Sequence, residues 1–190
     1  YTFVRSQLPS IAAIGVGLLI LILAYMLRQG TISLPFAQSN NGAPTRPATL
    51  QHLYGSKKAQ TTIVEFADYS CGHCANAHDT LRQLVDESNG TIAWEYRHLP
   101  ILQAVSSEAA RTAECVAELS SDADAFWKFS QELFAKQQTL SSAMLASIAG
   151  TYVPDVEALH VCMARPDIQA RVDDDASAAR LLGARGTPFS

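Results

Sequence analysis

The first 64 residues of this 190-residue chain contain no acidic residue, and only 17% of the whole chain is charged, against about 25% in ordinary soluble domains. Residues 65–190 carry nine basic and eighteen acidic side chains, a net charge of −9. Because phosphate binding requires clustered lysine and arginine, this acidic region predicts that nucleic acid is not a partner. Four cysteines are too few for a disulfide-dense scaffold, so their spacing decides what they do.

Charge is also absent between Arg5 and Arg28, and residues 11–27 form one apolar run. At 1.5 Å per residue the uncharged stretch spans about 33 Å, enough for the ~30 Å core of a bilayer. We therefore predict an N-terminal transmembrane anchor over residues 1–28, with a cleaved signal peptide as the alternative. Residues 29–49 are rich in Ser, Thr, Asn, Gln, Gly and Pro, which predicts a flexible tether.

A folded domain is predicted over residues 50–190. The β-branched run Thr61–Ala67 predicts a buried strand, and Thr91–Leu99 alternates as a second strand. Between them lies a helix that ends at Asn89-Gly90. Its predicted apolar face comprises Cys74, Ala77, Leu81, Leu84 and Val85. This strand–helix–strand order predicts a βαβ unit with a parallel sheet, and hence the α/β class.

From residue 106 to residue 182 the chain is typical of helices throughout. Breaks are expected near residues 120–122, 138–140, 151–154 and 165–166. The segment Gly183-Ala-Arg-Gly186 is expected to end the last helix.

The motif Cys71-Gly-His-Cys74 lies where the first strand and its turn lead into the helix. Unpaired N–H groups at a helix N-terminus, together with His73, would stabilise a thiolate at Cys71. Cys74, one turn later on the apolar face, is expected to be more buried. An exposed attacking sulfur and a shielded resolving sulfur are what thiol–disulfide exchange needs. A c-type haem site, a zinc site, copper delivery and a purely structural pair are the alternatives.

Two distant segments resemble one family. The segment Glu65-Phe-Ala-Asp-Tyr-Ser-Cys71-Gly-His-Cys74 is similar to the active site of DsbA-like thiol–disulfide oxidoreductases, and Gly186-Thr187-Pro188-Phe189 resembles their cis-proline loop. The resemblance implies a thioredoxin-like fold with a helical domain inserted at about residues 104–182. It makes Cys71 the nucleophile and Cys74 the resolving cysteine.

The resemblance also implies roles for the neighbouring residues. Gly72 and His73 would tune the redox potential, and Glu65 would be a buried acid that assists proton transfer at Cys74, with Arg97 a candidate counter-charge. Thr187 and Pro188 would help to bind substrate. Because the final strands and helix of the family fold are not in the sequence, we expect a C-terminally truncated fragment.

The expected function is a protein-disulfide oxidoreductase that introduces or exchanges disulfides in unfolded or thiol-bearing proteins. It would need no cofactor besides its redox-active disulfide, and no metal. We expect it to lie in the cell membrane as a single-pass protein, with its catalytic domain on the extracytoplasmic, periplasmic side, and to be reoxidised by a membrane redox partner. Since the Gly-His dipeptide resembles protein disulfide isomerases, a reductase or isomerase is one alternative, and a copper-delivery protein is the other.

The other polar and sulfur-bearing residues are expected to be structural. Cys115 and Cys162 either remain two buried free thiols or form a disulfide, and an oxidising compartment together with the family resemblance favours the disulfide. His78 is expected to pack in the interior. Structural or solvated roles are expected for His52, His98, His160 and the acidic run Asp173–Asp175.

Overall fold

The computed structural model describes Tyr25 and residues 52–190. The chain divides into two units at residues 42 and 43, and the folded domain lies within the second. Apart from Tyr25, the predicted anchor at residues 11–27 and the tether at residues 29–49 lie outside the described residues. No helix within the described part of the chain has the length and apolar character needed to cross a bilayer.

Strands and helices of the domain follow the predicted order. The elements are β1 (Leu53–Gly55), β2 (Thr61–Ala67), α1 (Gly72–Glu87), β3 (Ile92–His98), α2 (Ala104–Leu119), α3 (Ala125–Ala135), α4 (Ser142–Tyr152), α5 (Val156–Met163) and α6 (Pro166–Leu181). A 3₁₀ turn at Gln137–Thr139 separates α3 from α4. The predicted helix breaks therefore fall between helices or overlap their ends by one or two residues, and α2 to α6 occupy the predicted insertion.

The sheet has the strand order β1-β3-β2. Strands β2 and β3 pair in parallel, from Thr61 opposite Ile92 to Ala67 opposite His98, as the βαβ prediction requires. Strand β1 pairs antiparallel with β3 and was not predicted. A strand of three residues is too short to show a hydrophobic period.

Alternation along the strands gives the sheet two buried faces. Trp94 and Tyr96 pack into the main core, which α1 and the helical insertion complete. Phe66, on the opposite face, belongs to a smaller cluster with Leu99 and Ala179 of α6. Since helices cover both faces, β3 is buried along most of its length.

Helix α1 begins at the cysteine motif and ends in a left-handed turn, with φ of 52° at Asn89 and 81° at Gly90. Its buried residues are Cys74, His78 and Val85. The prediction that Leu84 lies on the buried face is wrong, because its side chain is 41% exposed. The buried residues of α1 follow Cys74 by four and eleven positions, which is one line along a helix. Leu84 follows Cys74 by ten positions and therefore lies beside this line.

A disulfide joins Cys115 of α2 to Cys162 of α5, with 5.9 Å between their Cα atoms. Both cysteines are buried in the main core. The two cysteines that the sequence predicted as a pair are therefore bonded to each other in the structure.

Gly55 provides a test of how β1 packs on α1. Its φ is +95°, and an added Cβ would lie 2.6 Å from Cγ1 of Val85, so Gly55→Ala should destabilise the fold by about 1–3 kcal/mol. Gly150, inside α4, has no atom within 4 Å of an added Cβ, so Gly150→Ala should stabilise by roughly 0.4–1 kcal/mol. Urea unfolding measures both changes, and equal stability of the two variants would contradict the packing of β1.

Candidate active site

The turn after β2 is held by the buried carboxylate of Asp68. This carboxylate accepts hydrogen bonds from the backbone N–H groups of Ser70 (2.8 Å), Ile101 (2.8 Å) and Leu102 (2.9 Å). The backbone carbonyl of Asp68 accepts from the N–H of Cys71 at 3.0 Å. The sequence analysis missed Asp68, although an Asp two residues before a Ser at the end of a strand is a signal for an Asx turn.

Cys71 occupies the N-cap position of α1. Its Sγ accepts a hydrogen bond from the N–H of Cys74 at 3.4 Å and donates to the carbonyl oxygen of Thr187 at 3.4 Å. Both Cys71 and Cys74 are free cysteines. The expectation of an exposed attacking sulfur is wrong in degree, because Cys71 is only 5% exposed and Cys74 is fully buried. Cys71 is less exposed than expected because the backbone of Thr187 lies against its sulfur.

The segment that reaches Cys71 is fixed to the edge of the sheet. Phe189 exchanges two backbone hydrogen bonds with Phe66 of β2, at 2.8 and 3.1 Å. The Thr187–Pro188 peptide bond just before it is cis. Pro188 is exposed beside the buried sulfur. The two motifs of the family resemblance, far apart in sequence, thus meet at one place.

Gly72 and His73 form the exposed first turn of α1. An added Cβ on Gly72 would meet only Oε1 of Gln137, at 4.0 Å, so the fold does not require glycine there. Both residues are therefore available to a protein that approaches Cys71.

Glu65 is a buried acid on the main-core face of β2, and it is 1% exposed. Neither carboxylate oxygen has a hydrogen-bond partner among the described residues. Burial raises the pKa of Glu65 to about 7, and the neighbouring Trp94 side chain offsets part of the rise.

The prediction that Arg97 is the counter-charge of Glu65 is wrong. Arg97 lies on the opposite face of the sheet, where its Nε is 3.0 Å from Oε1 of Glu95.

Tyr96 lies next to Glu65 in the sheet and in the same core as Cys74. Burial raises the pKa of the Cys74 thiol above its ordinary value. Burial also raises the pKa of Tyr96, and the neighbouring Tyr69 adds to the rise. The Cys74 sulfur and the buried acid therefore both face the desolvated main core.

His78 lies deeper in the interior and has a packing role. Its ring is 4.9 Å from that of Trp94 and 5.0 Å from that of Phe134, between centroids. Burial lowers its pKa to about 4, so the imidazole is neutral at neutral pH.

Comparison with known proteins agrees with this geometry. Residues 48–189 match a family model described as thioredoxin, which covers most of the chain. The chain belongs to the thioredoxin family. This assignment supports the predicted thioredoxin-like α/β fold with its helical insertion.

Solved structures of DsbA proteins are similar to this thioredoxin-family chain. The thiol–disulfide exchange protein α-DsbA2 of Wolbachia pipientis is 26% identical, with a TM-score of 0.65 over 73% of each chain. DsbA2 of Pseudomonas aeruginosa is 28% identical, with a TM-score of 0.58 over 73% of this chain and 76% of that one.

Curated relatives include much longer proteins. The Na⁺/H⁺ antiporter NhaA 3 of Salinispora tropica is 33% identical over 140 residues, which are 72% of this chain and 21% of that protein. The antiporter NhaA of Herminiimonas arsenicoxydans is 30% identical over 73% of this chain and 22% of its own length. The chain thus spans about a fifth of these relatives.

The buried acid predicts a pH dependence of stability. Because the pKa of Glu65 rises from 4.5 to about 7 on folding, the folded state binds more protons than the unfolded state between these values. Glu65 should therefore contribute a loss of stability on the order of 3 kcal/mol as the pH rises from 4.5 to 7, whereas the lowered pKa of His78 acts in the opposite direction between pH 4 and 6.5. The stability of the wild type relative to Glu65→Gln should accordingly fall by this amount over the same pH range, as measured by urea unfolding. Glu157→Gln, at an exposed position, should keep the wild-type profile, and a wild-type profile in Glu65→Gln would contradict the assignment.

Proposed function

We propose that this chain is a DsbA-like protein-disulfide oxidoreductase that works through Cys71 and Cys74. The observation that carries the proposal is the asymmetry of the two sulfurs. Cys71 caps a helix N-terminus next to the exposed residues Gly72 and His73, while Cys74 is fully buried with a raised pKa. One sulfur is thus placed to be attacked and the other to leave, which disulfide exchange requires.

The reaction starts from the Cys71–Cys74 disulfide. A substrate thiolate attacks Sγ of Cys71, forming a mixed disulfide while the bond to Cys74 breaks. The leaving Cys74 sulfur takes a proton, because its burial favours the neutral thiol. A second substrate thiolate then attacks the substrate sulfur of the mixed disulfide and releases Cys71. The substrate loses two electrons and gains a disulfide, and the enzyme becomes a dithiol.

Glu65 is suited to supply the proton to Cys74. Its pKa of about 7 leaves it partly protonated at neutral pH, and no hydrogen bond within the described residues holds its proton elsewhere. Tyr96 is paired with Glu65 across the sheet and belongs to the same core as Cys74. Glu65 would then be the proton reservoir of the resolving sulfur.

The substrate would bind across the loops around Cys71. Pro188 is exposed on one side. The backbone N–H groups of Ile101 and Leu102 donate hydrogen bonds to Asp68. Their side chains are 44% and 51% exposed. These apolar side chains suit the exposed hydrophobic residues of an unfolded, thiol-bearing protein.

Oxidation is the favoured direction of electron flow. The bond between Cys115 and Cys162 supports a location where disulfides persist, outside the reducing cytosol. A reductase or isomerase would use the same residues with the flow reversed.

We further propose that residues 11–27 hold the protein in the cell membrane, with the catalytic domain on the extracytoplasmic, periplasmic side. The support is the length of this uncharged apolar run and the polar tether after it. A membrane redox partner would then reoxidise the dithiol. The reaction needs no cofactor other than the disulfide itself.

Exchange should depend on the two cysteines in different ways. The oxidised protein mixed with a reduced two-thiol peptide should yield the peptide disulfide and the dithiol enzyme. Cys71→Ser should give no adduct with an oxidised peptide, whereas Cys74→Ser should accumulate a mixed disulfide at Cys71.

In the reduced wild type near pH 6, alkylation should label Cys71 at least about tenfold faster than Cys74. The reason is that each unit by which the pKa of a thiol is raised lowers its reactive thiolate fraction about tenfold.

Mass spectrometry identifies the adducts and the labelled residue. Preferential labelling of Cys74 would reverse the assignment of the nucleophile. Failure of the oxidised protein to oxidise the peptide, together with reduction of an oxidised peptide by the dithiol form, would indicate a reductase.

The anchor should resist extraction from membranes. The full chain should remain in the pellet after carbonate washing, since the run of residues 11–27 matches the bilayer core. The double variant Leu19→Asp/Leu21→Asp should move to the supernatant. Each Asp at the centre of a membrane-spanning helix makes the free energy of insertion less favourable by about 2.5–3.5 kcal/mol. Gln38→Asp in the tether is the control and should stay in the pellet. A released form that lacks residues 11–27 would show a cleaved signal peptide.

A further inference from the structure

Two histidines and a glutamate that the sequence analysis left without a joint role come together inside the domain. Nε2 of His52 lies 2.6 Å from Oε1 of Glu114, and Nε2 of His98 lies 3.0 Å from the same oxygen. The three ligand-type atoms all lie within 4.8 Å of one another. One carboxylate oxygen thus faces two imidazole nitrogens.

The cluster is built by three separate parts of the fold. His52 directly precedes β1, His98 ends β3, and Glu114 lies in the middle of α2. All three side chains are buried, at 6%, 1% and 2% exposed. The ring of Phe126 stacks on His52 at 3.5 Å and closes one side. Such convergence of polar groups in an apolar interior requires a strong compensating interaction.

Burial alone would raise the pKa of Glu114, but the charges and hydrogen bonds of His52 and His98 hold it well below its ordinary value. Arg171 lies beside the cluster, with its Nη1 3.5 Å from Oε2 of Glu114, and the carboxylate of Asp175 accepts the backbone N–H of His98 at 3.0 Å. Arg171 also reaches Glu118 (3.3 Å) and Asp167 (3.5 Å) at the surface, so it has other partners.

We propose that His52, His98 and Glu114 bind a divalent transition-metal ion of the Zn²⁺ class. Two imidazole nitrogens and one carboxylate oxygen are a donor set that such ions use with three protein ligands. Around a tetrahedral ion with bonds of about 2.0–2.1 Å, neighbouring ligand atoms lie about 3.3 Å apart. The separations of 2.6 and 3.0 Å from the carboxylate oxygen would widen by about 0.3–0.7 Å. The two Nε2 atoms, which lie within 4.8 Å of each other, would approach by up to about 1.5 Å, so side-chain rotations must accompany binding.

The ion would bridge the start of the domain, the central strand and the helical insertion. Three protein ligands leave a fourth position for water, and any proton on a coordinating nitrogen must leave when the ion binds. The site contains no cysteine, and the proposal does not depend on the redox function. It replaces, for this cluster alone, the expectation that the chain binds no metal.

Titration with Co²⁺ and Zn²⁺ tests the site in the full chain, purified in detergent with Cys71 and Cys74 oxidised so that no thiolate competes. We expect one equivalent of Co²⁺ to bind with the intense visible bands of a four-coordinate ion, and Zn²⁺ to displace it. Glu114→Gln and His98→Asn should weaken binding at least about 100-fold, as loss of a ligand does. His160→Asn, at an exposed imidazole, should bind as the wild type does.

NMR of the wild-type imidazoles keeps the test independent of whether the variants fold. Addition of Zn²⁺ should shift the Nε2 resonances of His52 and His98 and leave those of His73 and His160 in place. Absence of stoichiometric binding at micromolar metal would overturn the proposal. Shifts confined to His73 or His160 would do so as well, because they would place the metal at the surface.

Discussion

The buried carboxylate of Asp68 is the contact on which the arrangement of the redox centre depends. By accepting three backbone N–H groups, it ties the turn that carries Cys71 to the loop that begins the helical insertion. A charged acceptor with several hydrogen bonds is among the stronger polar contacts in a protein interior. The turn therefore fixes the position of the sulfur at the N-cap of α1.

Behind this fixed turn, the main-core face of the sheet carries an unusual number of polar groups. Glu65 has no partner among the described residues, and the Tyr96 hydroxyl and the Trp94 indole N–H also have none recorded. Interiors rarely leave so many polar atoms unsatisfied, and where they do, chemistry is a common reason. The cost of burying Glu65 is what brings its pKa close to neutrality, where proton transfer to and from a thiol is easiest.

Sequence reasoning recovered the parts of the molecule that depend on local pattern. The bounds of β2, the start of α1 at the cysteine motif and the helix breaks all follow from periodicity and capping residues. What it missed depends on contacts between distant segments. Asp175 was expected on a solvated helix face, but its carboxylate accepts the backbone N–H of His98 at 3.0 Å. Neither that contact nor the meeting of His52 with Glu114 leaves a signal in the order of residues.

The covalent bond between α2 and α5 has a consequence for how the domain responds to cutting. Helices α3 and α4 lie between Cys115 and Cys162 in sequence, so they belong to a closed covalent ring. A protease that cleaves the connection between them opens the ring without separating the pieces. The nicked chain would migrate as one species until a reductant is added, and the redox state of the surroundings would then decide whether the piece that begins at α4 stays joined to the rest of the domain.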